Sequence, residues 1–145
     1  MAKQKIDSRT IVGRCITVIF VLILLGGIYF LVDLFRARDI SVETLAGQWK
    51  YQRGETVVFY TFVPDVSGEQ KGTAICTENG TTRNYTFTLE PTDGGNGYYE
   101  LVMTRSERGN HDAPESYVID QISRAQMSIL MRGTSYESMT KVNIF

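Results

Sequence analysis

Sorted only into apolar and polar positions, the chain changes period once. From Cys15 to Val32 the run CITVIFVLILLGGIYFLV carries no charge over 18 residues. As a helix at about 1.5 Å per residue it extends about 27 Å, close to the roughly 30 Å of a bilayer hydrocarbon core. The pattern predicts a transmembrane helix over 15–35, anchored through Cys15, Ile16, Val18, Phe20, Leu22, Leu24, Ile28, Phe30 and Val32. From Leu45 onward the helical run gives way to apolar residues at alternate positions, broken at short intervals by turn residues. Strands are expected over Gln48–Gln52, Thr56–Val63, Gly72–Thr77, Arg83–Glu90, Tyr98–Arg105, Ser116–Ile122, Met127–Arg132 and Tyr136–Asn143. The breaks between them include Pro64-Asp65, Ser67-Gly68, Asn79-Gly80, the Asp93–Gly97 cluster and Arg132-Gly133, all chemically suited to turns.

No gap between these strands is long enough for a crossover helix, so neighbours should pair antiparallel. Alternation places Tyr85, Phe87 and Leu89 on one face, continued by Tyr99, Leu101 and Met103, by Tyr117 and Ile119, and by Met127, Ile129 and Met131. Ala74 and Cys76 also share a strand face, which predicts a buried thiol. An open meander would leave two bare edges and an uncovered apolar face, since no amphipathic helix remains to cover it. Closure into an eight-stranded antiparallel up-and-down barrel removes both problems. Its interior is narrow enough to be filled by side chains or to hold one small ligand. Val57, Phe59 and Val63 then point outward, a rich apolar set for a solvated face.

The stretch Leu45-Ala46-Gly47-Gln48-Trp49, with Gly-x-Trp opening the first strand of such a meander, resembles the lipocalin-like domains, especially the short bacterial kind. The similarity runs from Leu45 to the end of the chain. It implies a lipocalin-like barrel whose tryptophan closes one end against a basic side chain from a late strand, here Arg132 or Lys141, by cation–π contact. It also implies a small apolar or amphipathic ligand, with Trp49, Tyr85, Phe87, Tyr99, Leu101, Met103, Tyr117, Ile119, Met127 and Ile129 facing the barrel interior. The Thr-Asp-Tyr motif of full lipocalins does not occur in the middle of this chain, and the domain is shorter than theirs.

Charge sharpens the topology. Residues 1–39 hold six Lys/Arg against three Asp/Glu, and residues 40–145 hold nine against thirteen. Lys3, Lys5, Arg9 and Arg14 precede the apolar run, whereas Asp33, Arg36, Arg38 and Asp39 after it cancel. The positive-inside bias therefore expects a cytoplasmic N-terminus and a non-cytoplasmic C-terminal domain, periplasmic, extracellular or lumenal. A cleavable signal peptide is the rival reading. Cleavage near Gly26-Gly27 would put Leu24 or Leu25 at the small-residue position, and the apolar run continues past it, so an uncleaved signal anchor is expected. The division that follows is a tail over 1–14, a span over 15–35, a charged linker over 36–44 and a barrel domain over 45–145. The acidic domain lacks the cationic footprint needed for nucleic acid.

Candidate chemistry is sparse. His111 lies in a Gly/Asn/Pro-containing loop that gives ligands no fixed spacing, so neither a metal site nor a catalytic histidine is expected. Cys76 is the one thiol of the domain, and no disulfide framework exists with Cys15 as the only other cysteine. No phosphate loop, dinucleotide fingerprint or EF-hand loop is present, and no cofactor is expected. Asn79-Gly80-Thr81 and Asn84-Tyr85-Thr86 match the N-glycosylation acceptor, which matters only in a secretory lumen. The expectation is a membrane-anchored, non-enzymatic binding module in contact with the lipid bilayer. The alternative is a structural or accessory subunit of a larger membrane assembly.

Overall fold

The computed structural model describes residues 8–106, 113–131 and 135–143. Its first element, α1, is a helix over Ser8–Phe35. Within it Val12–Phe35 is long and apolar enough to cross a membrane. Ile16, Val18, Ile19, Leu24 and Leu25 lie all round the helix, and each leaves half or more of its surface exposed. A helix apolar on every side has no core face of its own and needs apolar surroundings. A β-carbon at Gly26 or Gly27 would meet open space.

The second compact unit, Phe35–Phe145, is the barrel with the segment that leads into it. A four-residue helix, α2 (Val42–Leu45), is started by a capping box in which Ser41 and Thr44 serve each other's backbone N–H groups. The strands follow as β1 (Gly47–Arg53), β2 (Thr56–Pro64), β3 (Lys71–Glu78), β4 (Thr81–Pro91), β5 (Tyr99–Arg105), β6 (Glu115–Ile122), β7 (Gln126–Leu130) and β8 (Tyr136–Lys141). Each pairs antiparallel with the next, and β8 returns to β1 to close the ring. The expected eight-stranded up-and-down barrel is the observed fold. The closing seam is short, with Trp49 opposite Lys141 and Lys50 opposite Thr140.

Local chemistry sets the turns. Asn79 and Gly80 both have positive φ, 49° and 78°, the pair of values that a two-residue hairpin turn needs to match strand twist. Between β6 and β7, the Ser123 hydroxyl accepts from the N–H groups of Ala125 (3.3 Å) and Gln126 (2.9 Å) and holds the reversal.

Up-and-down topology gives the barrel two ends. At one, residues 35–46 join β1, and Val42 and Leu45 of α2 enter the core. Trp49 is fully buried there and donates its Nε1–H to the Leu45 carbonyl at 2.7 Å. Lys141 Nζ stands 5.0 Å from the Trp49 ring centroid, so the basic partner expected from a late strand is Lys141. Arg132, the other candidate, lies outside the described residues. The middle of the barrel is solid. Phe62, Phe87, Leu89, Leu101, Ile119, Met127, Ile129 and Met139 are all buried, with Phe62 edge-on to Phe87 at 5.4 Å between ring centroids.

Candidate functional site

Among the described residues, the other end is open. At that end six of the eight strands carry a charged residue at one of their last two inward-facing positions: Arg53, Glu78, Arg83, Arg105, Glu115 and Glu137. Among the described residues, three cations and three carboxylates balance at the rim but are spread unevenly around its circumference. Arg83 and Arg105 stand on the adjacent strands β4 and β5, whereas Glu115 and Glu137 stand on β6 and β8. Arg83 Nη1 lies 3.5 Å from Glu78 Oε2 across the β3–β4 hairpin.

Below the rim lies a cavity of about 300 Å³ whose walls include Tyr51, Tyr60, Tyr85 and Tyr117, with Val58, Cys76 and Met131 between them. A recess of about 310 Å³ shares Arg83, Tyr85 and Glu115 with it and reaches Met103 and Arg105. Tyr60 stacks on Phe62 at 6.2 Å between ring centroids, so the floor of the mouth is continuous with the packed middle.

The tyrosine hydroxyls are tied to the rim. Tyr117 donates to Glu115, Tyr51 is hydrogen-bonded to Glu137, and Tyr60 to Cys76. Burial raises the Tyr51 phenol above its usual value, and the Glu137 hydrogen bond adds to this. Burial likewise raises Tyr85, reinforced by the Glu115 charge. Tyr60 is pushed up far more strongly, first by burial and then by Cys76 and Tyr117. All three stay protonated at neutral pH and offer O–H donors and ring faces rather than charge. The Cys76 thiol is buried as expected, and burial raises it, away from the thiolate that nucleophilic chemistry requires.

The interior positions expected from sequence divide by depth. Tyr85 and Tyr117 line the mouth, and Met103 bounds the recess beside it. Trp49, Phe87, Leu101, Ile119, Met127 and Ile129 are packed into the core, and Tyr99 is half-buried against it. Tyr51, Tyr60 and the six charged rim positions were not singled out from sequence. Counting alternate residues outward from Trp49, Phe62, Ala74, Tyr85, Met103, Tyr117 and Met139 reaches all of them, once the ring is closed and its open end is known.

Among the described residues no cluster of His, Cys, Asp and Glu is suited to hold a metal ion. His111 lies outside them. Asn79 and Asn84 are both exposed, one in the β3–β4 turn and one on the outer face of β4. Compared with protein-family models, with curated proteins and with solved structures, the chain matches none.

Proposed function

We propose that this chain is a membrane-anchored, non-enzymatic binding module of lipocalin-like type whose open mouth takes a small amphipathic ligand. The observation that carries the reading is the tyrosine-walled cavity of about 300 Å³ beneath a rim of arginines and glutamates. Its volume is at the lower end of the range for small-molecule sites, and a few polar groups above apolar walls are their common composition. The ligand's flat apolar body stands between Tyr51, Tyr85 and Tyr117, and its ionised head meets the arginines or glutamates of the rim. The solid middle argues against a long acyl chain threading the barrel. Flanking charges support an N-terminus in the cytoplasm and a barrel outside it.

The test uses the full chain in phosphatidylcholine nanodiscs, with methionine methyl groups observed by NMR. Met131 lines the mouth, whereas Met139 is buried in the packed core. Phenethylamine and phenylacetate serve as cationic and anionic probes with the same aromatic body. Saturable movement of the Met131 signal with Met139 unmoved is expected for at least one probe. Tyr85→Ala should weaken it about three- to tenfold, the worth of one aromatic wall. Equal response at both methionines, or none at Met131, overturns the proposal.

A second reading, an accessory subunit of a membrane assembly, has its own observation. On β2 to β5 the outward residues Phe59, Thr61, Val63, Thr73, Ile75, Thr86, Thr88 and Val102 form an uncharged patch, edged by Lys71, Glu90 and Glu100. An open groove of about 570 Å³ crosses this face along Val63, Thr73, Thr86, Thr88 and Val102. A half-apolar patch with charges confined to its edge suits contact with another protein.

A further inference from the structure

Beside the buried tryptophan, at the end of the barrel where residues 35–46 join it, lies a second pocket of about 270 Å³. Three cations from three separate segments line it: Arg38, Arg124 and Lys141. Each is placed by main-chain hydrogen bonds. Arg38 donates its N–H to the Ile122 carbonyl at 2.8 Å, which fixes the incoming segment against β6. Arg124 occupies the β6–β7 turn that Ser123 holds. Lys141 donates its N–H to the Ala125 carbonyl of the same turn at 2.8 Å.

The Lys141 side chain is then steered inward. Its Cε passes where a β-carbon on Gly47 would sit only 2.9 Å away, and Gly47 has φ of +112°. The backbone conformation there calls for glycine, and its missing side chain leaves the space that Lys141 occupies. The Lys141 ammonium ends over the Trp49 ring, with Nζ 3.5 Å from the Thr44 carbonyl oxygen. Burial lowers the pKa of Lys141, and the charges of Arg38 and Arg124 lower it further. These cations feel one another. Glu43 is the carboxylate in the lining, so the lining's formal charge is +2, inside a domain whose residues 40–145 are net acidic.

We infer that this pocket binds a phosphate-type oxyanion. Two guanidinium groups and an ammonium converging on one small space are the usual chemistry for such a group, and an anion there relieves their mutual repulsion. Ser123 and Asn143 of the lining add neutral polar atoms. Two sources share this chemistry, a phospholipid headgroup and free phosphate. Arg38 follows the end of α1 at Phe35 by three residues, a reach of about 10 Å. If α1 spans the bilayer, the pocket is therefore tethered within reach of headgroups.

The sequence contains one tryptophan, and it lies directly beneath Lys141, so its fluorescence reports on the pocket. The full chain in phosphatidylcholine nanodiscs is titrated with inorganic phosphate at constant ionic strength. A saturable change in Trp49 emission is expected, and Arg124→Gln should raise the apparent Kd about tenfold or more, the value of one charged hydrogen bond. Arg124 is exposed, so this variant keeps the fold, checked by an unchanged starting emission maximum. In discs where phosphatidylglycerol replaces part of the phosphatidylcholine, a shifted emission that phosphate no longer changes supports the site with lipid as its source. An unaltered phosphate titration in those discs supports it with free phosphate. No saturable change with either, or the same change in Arg124→Gln, overturns the inference. The readout is separate from the Met131 signal, so failure here leaves the mouth untouched.

Discussion

At the scale of single residues, the mouth is defined by phenols kept neutral in partly buried surroundings. Tyr51, Tyr60 and Tyr85 are all raised above the usual phenol value of 10.0. An unfolded chain ionises these groups first as pH climbs. Their contribution to stability is therefore complete below about pH 10 and is lost as pH rises from there through the folded values. The denaturant midpoint should fall above pH 10, and Tyr60→Phe should flatten that fall, with the last share of tyrosinate absorbance, from the buried phenols, appearing together with unfolding. If the three phenols ionise while the barrel remains folded, this account of the mouth is wrong. Which residues would matter was only half legible beforehand. Trp49 announced itself through Gly-x-Trp and found Lys141, whereas Tyr51 and Tyr60 look like ordinary inward residues until the level of the packed floor is known. That level depends on how Phe62 and Phe87 fill space, which alternation does not encode.

Among the elements, all eight strands were legible because inward apolar residues and turn chemistry agree along β1 to β8. Their ends differ by a residue or two, as at Lys71 and Glu78 of β3. The helix α2 was not foreseen. Four residues between Ser41 and Ala46 are too few to show a period, and the one local sign is the Ser41–Thr44 cap. Gly72 has a specific task within β3. A β-carbon there would meet the Val63 carbonyl oxygen and come within 2.9 Å of the Phe87 ring, which lies opposite Gly72 on β4. Glycine lets an aromatic ring cover the backbone where the two strands approach most closely. Gly72→Ala should cost about 1–3 kcal/mol in chemical denaturation by overpacking this contact. A variant as stable as the parent would show that β2 and β4 yield there more easily than their close approach suggests.

For the whole molecule, closure followed from elimination: with no helix left to cover an apolar face, β8 had to return to β1. Whether the ring was hollow or filled depends on the summed volumes of its inward side chains, and the strand pattern is silent on that sum. The uncharged patch around Phe59, Val63, Ile75 and Val102 on the outer face of β2 to β5 separates the two functional readings. After extraction in mild detergent, a binding module is expected to migrate as a lone monomer. Migration in a larger complex that Val63→Lys dissolves would instead establish this face as an assembly surface. The filled middle has a further consequence. It makes the barrel a cup with a sealed base rather than a tube, so whatever enters the mouth must leave by the way it came. If the mouth binds a ligand as proposed, capture and release share one gate lined by arginines and glutamates, and a single change at that gate alters both rates together. The far end, behind its solid partition, is free to answer to a different chemical signal.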